Sequence, residues 1–338
     1  MSGSRAFGFR VEGGGDIGMG HLMRCFALAE TCRRFGHEAV FLSTGVFPAL
    51  RRRLSAAGVA VSWLGASYPD PLDLERTVAW ARAREGVWLV LDGYRFDAEY
   101  QHALRKAGCR VLVVDDGIHA ERYYADAVLN QNPFAERLSY PCEGSPRLLL
   151  GAQYALIRRD VVDRRPPRRP IADRARRVMV TLGGSDPRGQ TDKVLQGLRS
   201  LRMHDLDVRV VVGPGTTEVA PADGPSITVL RDPDVAAVMA WADLAISAAG
   251  STCWELACIG VPALVIVVAE NQRAVAAAVE EAGLARSLGW WEALTAEAIG
   301  AAVEAVAVDA ESRRAMSEHG RALVDGRGAE RVLAALMN

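Results

Sequence analysis

The stretch Phe9 to Glu30, FRVEGGGDIGMGHLMRCFALAE, sets one imidazole, His21, at the start of a helical pattern directly after a glycine-rich turn. Glycines there allow positive φ and let a ligand approach the backbone, while the helix behind offers unpaired N–H groups. A neutral imidazole at that point could accept a proton from water or a hydroxyl. Gly18 and Gly20 supply one GxG, but position 23 is Met, so the dinucleotide pattern GxGxxG is not met. The bland alternative is a tight turn with no chemical purpose.

Five further loops carry groups fit for chemistry. LDGYRFD places Asp92 and Tyr94 just past a β-rich run: the carboxylate could hold a cation or hydroxyl, and the phenol could donate to a ligand oxygen. Asp97 in the same loop reads as a helix N-cap. VVDDG sets Asp115 and Asp116 after another strand, where one of the pair could be catalytic or both could cap turns. In TLGGSDPRGQT, Gly183, Gly184 and Ser185 lie between strand and helix, which suits phosphate or ribose contact through backbone N–H groups. The Walker pattern GxxxxGK[ST] is absent.

ISAAGSTCWELACIG leads through small residues, Gly250 among them, into a helix opening on Ser251, Thr252 and Glu255. That helix start could bind a diphosphate, and Glu255 could accept ribose hydroxyls. VVAENQRA ends the most apolar run with Glu270, Asn271 and Gln272, whose amides could read sugar hydroxyls or N-acyl groups. Phosphate-friendly loops in one half and a histidine loop in the other describe a nucleotide-sugar site.

Such loops need rigid strands behind them. The first half alternates short apolar runs at Ala6–Val11, Glu38–Ser43, Val59–Trp63, Val87–Leu91, Arg110–Val114 and Ala127–Leu129 with helical patterns, notably His21–Phe35, Leu72–Arg84 and Ala98–Ala107. After the proline- and arginine-rich segment 159–176 the grammar restarts. Strands are expected at Val178–Leu182, Val208–Val212, Thr228–Leu230, Leu244–Ser247 and Ala263–Val267. Helices fall at Thr191–Leu201, Val235–Trp241, Thr252–Ile259, Arg273–Ala282, Ala296–Val308 and Ala310–Val324. The expectation is an α/β chain with two doubly wound, parallel-sheet (Rossmann-like) domains, 1–158 and 177–338, facing a cleft. The last helix is allowed to pack back on the first domain.

Composition narrows the function classes. With 338 residues, half of them apolar, and a net charge of -1, the chain has no global field for a polyanion, so a nucleic-acid partner is not expected. Of 40 basic residues only Lys106 and Lys193 are lysines, which discounts arginine clusters such as RRPPRRP as binding signals. The six cysteines form no CxxC pair, and neither a metal nor a cofactor is called for. Cys25 and Cys32, seven apart, read as core residues on one helix face. No apolar run is long enough to insert stably in a membrane, and a cytoplasmic monomer is expected. GVFPALRRRL is either a membrane-facing amphipathic patch or an ordinary surface helix.

GGGDIGMGHLMRCFALA, VTLGGSDP and SAAGSTCWELACIGVPALVIVVAENQ resemble the UDP-sugar hydrolases of pseudaminic acid biosynthesis and their spore-coat polysaccharide relatives. NQNPF and GAQYALIRRDV extend the resemblance over nearly the whole chain. It implies the GT-B fold, similar to the N-acetylglucosaminyltransferase of lipid II synthesis. It also implies hydrolysis of UDP-2,4-diacetamido-2,4,6-trideoxy-β-L-altropyranose to UDP and free sugar with inversion. By the same resemblance His21 activates water and Tyr94 sits near the reacting sugar. Gly183, Gly184, Ser185, Gly250, Ser251, Thr252 and Glu255 hold the UDP part, while Asn271 and Gln272 face the sugar. Two departures bear on the substrate: Glu12 stands where the family usually has aspartate, and Gly93 where it often has a histidine or another polar residue. An inverting transferase, with an acceptor hydroxyl in place of water, would use the same parts.

Overall fold

The computed structural model describes residues 4–11, 19–45, 48–183, 186, 189–203, 205–213 and 225–338. The chain divides into two units. One combines the first strand with residues 21–159 and 326–338, and the other comprises residues 160–325.

The first unit's sheet holds β1 (Ala6–Val11), β2 (Glu38–Ser43), β3 (Ala60–Trp63), β4 (Trp88–Asp92), β5 (Arg110–Val114), β6 (Ala127–Asn130) and β7 (Arg147–Leu150). All pairs are parallel, in the order β3-β2-β1-β4-β5-β6-β7. The helices are α1 (Gly20–Arg34), α2 (Pro48–Ala56), α3 (Pro71–Arg82), α4 (Ala98–Lys106) and the short α5 (Arg159–Val162) at the unit boundary. Alternation along the strands builds the core: Val40, Leu42, Leu89, Leu91, Val111 and Val113 join one buried cluster. Phe7 and Phe9, one residue out of phase, are buried on the opposite face, where Phe9 stacks on Phe41.

Cys25 and Cys32 of α1 are both fully buried. On α2, Leu50 and Leu54 are buried while Arg51 and Arg52 face solvent, which is how an ordinary surface helix sits on its sheet. Asp97 caps α4 by accepting from Tyr100 N at 3.0 Å.

The second unit repeats the plan with β8 (Arg177–Thr181), β9 (Asp207–Val212), β10 (Ser226–Arg231), β11 (Leu244–Ala248), β12 (Ala263–Val267) and β13 (Ala285–Trp290). Their order is β10-β9-β8-β11-β12-β13, again parallel throughout. Its helices are α6 (Gln190–Arg199), α7 (Val235–Trp241), α8 (Thr252–Ile259), α9 (Arg273–Glu281), α10 (Ala296–Val308) and α11 (Ala310–Leu323). The final helix, α12 (Gly328–Met337), belongs to the first unit.

Two strands escape the sequence pattern. β7 is four residues at a sheet edge between Pro146 and Gly151, and β13 carries Ser287 and Gly289 across a register shift. Neither offers the apolar run of a buried parallel strand. In each sheet the strand order reverses beside the first strand, at β1/β4 and at β8/β11. Register then sets Val11 against Asp92 and Asp92 against Val114, so these chains leave the sheet together at its carboxyl edge.

Candidate active site

At that edge of the first unit, His21 occupies the first turn of α1 and is only 6 % exposed. Its Nδ1 lies 2.8 Å from Asp92 Oδ1, with the N–H pointing off the line to the carboxylate, and its Nε2 lies 3.8 Å from Asp116 Oδ2. Arg24, one turn further along α1, joins the two acids. Its Nε and Nη2 each donate to Asp92 at 2.7 Å, a bidentate pair, and its Nη1 donates to Asp116 Oδ1 at 2.5 Å. Cys25 completes the floor, its thiol 3.2 Å from Asp92 Oδ2.

Burial by itself would raise both acids, but Arg24 and His21 outweigh it and hold Asp92 and Asp116 below the ordinary aspartate range. Burial works against the Arg24 charge too, yet Asp116 and Asp92 push its pKa well above the usual value. The Cys25 thiol is pushed up by burial first and the Asp92 charge second, so it stays a neutral donor.

Tyr94, 38 % exposed, leans edge-on against the His21 ring at 5.3 Å between centroids and against His119 at 6.1 Å. Its hydroxyl is 3.4 Å from Asp116 Oδ2. Asp115 points the other way. It accepts from the backbone N–H groups of Asp116 and Gly117, from the Tyr123 hydroxyl at 2.7 Å, and pairs with His119 Nδ1 at 2.8 Å. Burial lowers the His119 pKa, but Asp115 more than offsets that and raises it. The buried amides after β6 brace this loop: Asn132 donates to the Asp116 carbonyl, and Asn130 to the Tyr140 hydroxyl.

In the second unit, Gly183 follows β8 at φ 109°, a conformation glycine adopts without strain. Gly18, Gly184 and Ser185, with Glu12, lie outside the described residues. Asp186 accepts from the backbone N–H groups of Gln190 and Thr191, so the first donors of α6 are already met by a carboxylate. The start of α8 differs. Gly250 and Ser251 lead into it, Thr252 is its first residue, Glu255 lies within its first turn, and the Ser251 side chain makes no capping bond. Among the described residues no carboxylate folds back onto the start of α8; instead Cys253 N donates to the Gly250 carbonyl at 3.0 Å and Trp254 N to the Ser251 carbonyl at 3.1 Å. Asn271 is exposed on a single 3₁₀ turn after β12, whereas Gln272 Oε1 accepts from Val268 N at 3.0 Å and closes that turn.

The structure therefore brings His21, Tyr94 and Asp92 together in the first unit, and Gly250, Ser251, Thr252 and Glu255 together in the second. Reading the sequence missed Arg24, whose signal was its three-residue spacing from His21 on one helix face, and His119. Among the described residues no His, Cys, Asp or Glu group is arranged to hold a metal ion, and no helix is long and apolar enough to cross a membrane. Asp92 and Asp116 spend their charge on Arg24.

Residues 178–329 match the Glycosyltransferase family 28 C-terminal domain. Over 339 aligned residues the chain is 25 % identical to the spore coat polysaccharide biosynthesis protein SpsG of Bacillus subtilis, covering 98 % of this chain and 97 % of that one. It is 26 % identical, over 55 % of its length and 34 % of the relative's, to a Helicobacter pylori protein named as pseudaminic acid cytidylyltransferase and UDP-2,4-diacetamido-2,4,6-trideoxy-beta-L-altropyranose hydrolase. Among solved structures, Acinetobacter baumannii MurG superposes with a TM-score of 0.64 over 99 % of both chains at 17 % identity. The chain thus has the GT-B fold, and its residues 178–329 resemble the Glycosyltransferase family 28 C-terminal domain.

Proposed function

We propose that this protein hydrolyses a UDP-linked deoxy-amino sugar, of the kind of UDP-2,4-diacetamido-2,4,6-trideoxy-β-L-altropyranose, to UDP and the free sugar with inversion. The observation that carries this reading is the His21–Asp92 pair, an imidazole 2.8 Å from a buried carboxylate, with its other nitrogen 3.8 Å from Asp116 and its ring edge-on to Tyr94. The similarity to a relative named for that hydrolysis supports the substrate class.

In this reading water attacks the anomeric carbon and its proton passes to His21 Nε2. The bond from that carbon to the diphosphate oxygen breaks, and its electron pair leaves on UDP. Asp92, 2.8 Å from Nδ1, stabilises the imidazolium through its charge. Asp92, Asp116 and Arg24 together carry a net negative charge, which the proton on His21 cancels. In the second unit the N-terminus of α8, with Ser251 and Thr252, supplies groups suited to a diphosphate, and Glu255 supplies a carboxylate suited to ribose hydroxyls. No protonation of a stable UDP anion is required.

His21→Phe should abolish UDP release measured by mass spectrometry without any acceptor, while calorimetry still finds UDP bound. Wild-type turnover in that variant would overturn the role of the ring. A second reading, an inverting glycosyltransferase, is favoured by the family 28 match. UDP release that appears only after an acceptor alcohol is added would select it.

A further inference from the structure

Asp115 and Asp116 are neighbours at the same strand end, yet they are spent differently. Asp115 is buried, and both its oxygens are taken by backbone N–H groups, the Tyr123 hydroxyl and the His119 ring. Asp116 gives Oδ1 to Arg24 and turns Oδ2 toward His21 Nε2 at 3.8 Å and the Tyr94 hydroxyl at 3.4 Å. A separation of 3.8 Å is too long for a direct hydrogen bond but suits two groups bonded to the same oxygen.

We infer that Asp116 holds the attacking oxygen between its Oδ2 and His21 Nε2, and that it thereby selects water over an alcohol as the nucleophile. The inference rests on the reading of His21 as the base. A neutral imidazole nitrogen and a carboxylate oxygen are both acceptors. Arg24 keeps Asp116 ionised, so the acceptor pair is permanent while His21 awaits a proton. Water has two O–H donors and satisfies both, leaving a lone pair for the anomeric carbon. An alcohol has one O–H. Bound to His21, it leaves Asp116 Oδ2 facing an oxygen that cannot donate to it, with only the long 3.4 Å contact from the Tyr94 hydroxyl, and a site that leaves an acceptor so poorly met discriminates against that ligand. Tyr94 closes the third side.

The test compares hydrolysis with methanolysis of UDP-2,4-diacetamido-2,4,6-trideoxy-β-L-altropyranose in buffer containing methanol. Free sugar, methyl glycoside and UDP are quantified by mass spectrometry. Wild type should give free sugar almost alone. In Asp116→Asn the amide oxygen stays on Arg24 and its NH₂ replaces Oδ2, turning an acceptor into a donor. Hydrolytic kcat should fall roughly 100-fold, with KM within about twofold, as for a misplaced reactant. The methyl glycoside share should rise several-fold, because the new donor suits an alcohol's lone pair. Asp116→Glu, which keeps the charge on Arg24 but moves its oxygens, guards against a folding defect. It should lose hydrolysis while the melting temperature holds.

A wild-type hydrolytic kcat in either variant overturns the inference, and so does a loss of kcat with an unchanged methanol share. Failure of the underlying reading looks different: wild type would then release no UDP without an acceptor, or His21→Phe would keep its turnover.

Discussion

Arg24 is where the chemistry of the first unit is most exposed to a single change. It is 4 % exposed and pairs with two acids at once. Arg24→Met should therefore destabilise the protein by about 3–5 kcal/mol, because breaking a buried pair leaves uncompensated charge; thermal melting checks it. The pairing also fixes the acid limb of stability. With Asp92 and Asp116 depressed in the folded state, their contribution is complete above the unfolded aspartate pKa of about 3.9 and fades as pH falls through the lower folded values. His119 acts oppositely. Its raised pKa contributes below the unfolded value of about 6.5 and is lost as pH rises through the folded one, so His119→Gln should flatten the alkaline side of a melting-temperature profile. Asp92 and Tyr94 could be proposed from the sequence because reactive types stand where a strand ends, and His21 because it opens a helix after a run of glycines. Arg24 was hidden by the abundance of arginine. Asp115 and Asp116, alike in type and adjacent, are told apart only by the donors the fold wraps round one of them.

At the scale of elements, periodicity located most strands and helices to within a residue or two, because buried parallel strands must be continuously apolar. It failed at the edges, on β7 and β13, where one face of the strand has less to bury. What periodicity cannot express is how closely helices approach. A Cβ on Gly197 of α6 would collide with the Ala296 carbonyl oxygen, and one on Gly300 of α10 would stand 2.7 Å from the Gly197 carbonyl oxygen. Gly300→Val should force these helices apart, at a cost of about 1–3 kcal/mol, and lower the denaturant midpoint of the second unit. Asp186→Ala should cost about 1 kcal/mol by uncapping α6. The turn before α6 and the one before α8 both read in the sequence as loops fit to bind a phosphate. Their difference lies in one carboxylate folded back onto N–H groups.

Across the whole molecule, the arginine-rich connector turns out to be internal scaffolding of the second unit. Arg165 donates to the carbonyls of Cys258, Arg321 and Val324 where α8 and α11 end, and Arg169 to that of Ala242 after α7. Arg321 returns bonds to Pro166 and Pro167. The fully buried Arg313 holds Val306, Ala172 and Asp173. A guanidinium spans several carbonyls at helix C-termini, which an ammonium cannot. Arg313→Lys should therefore lower stability by roughly 1–3 kcal/mol despite conserving charge, as differential scanning calorimetry would register. The first unit is closed by a different device. Gly328 at the start of α12 lies against the backbone of Tyr154 and Ala155, and Arg5 and Arg147 cap the far end of the helix through the carbonyls of Ala335, Leu336 and Met337. Synthesis at about 5–20 residues per second puts roughly ten to thirty seconds between the emergence of residue 159 and that of this helix. A nascent chain would meanwhile carry a nearly finished first half with the landing surface for that helix uncovered, a window in which a ribosome-associated chaperone has something to hold.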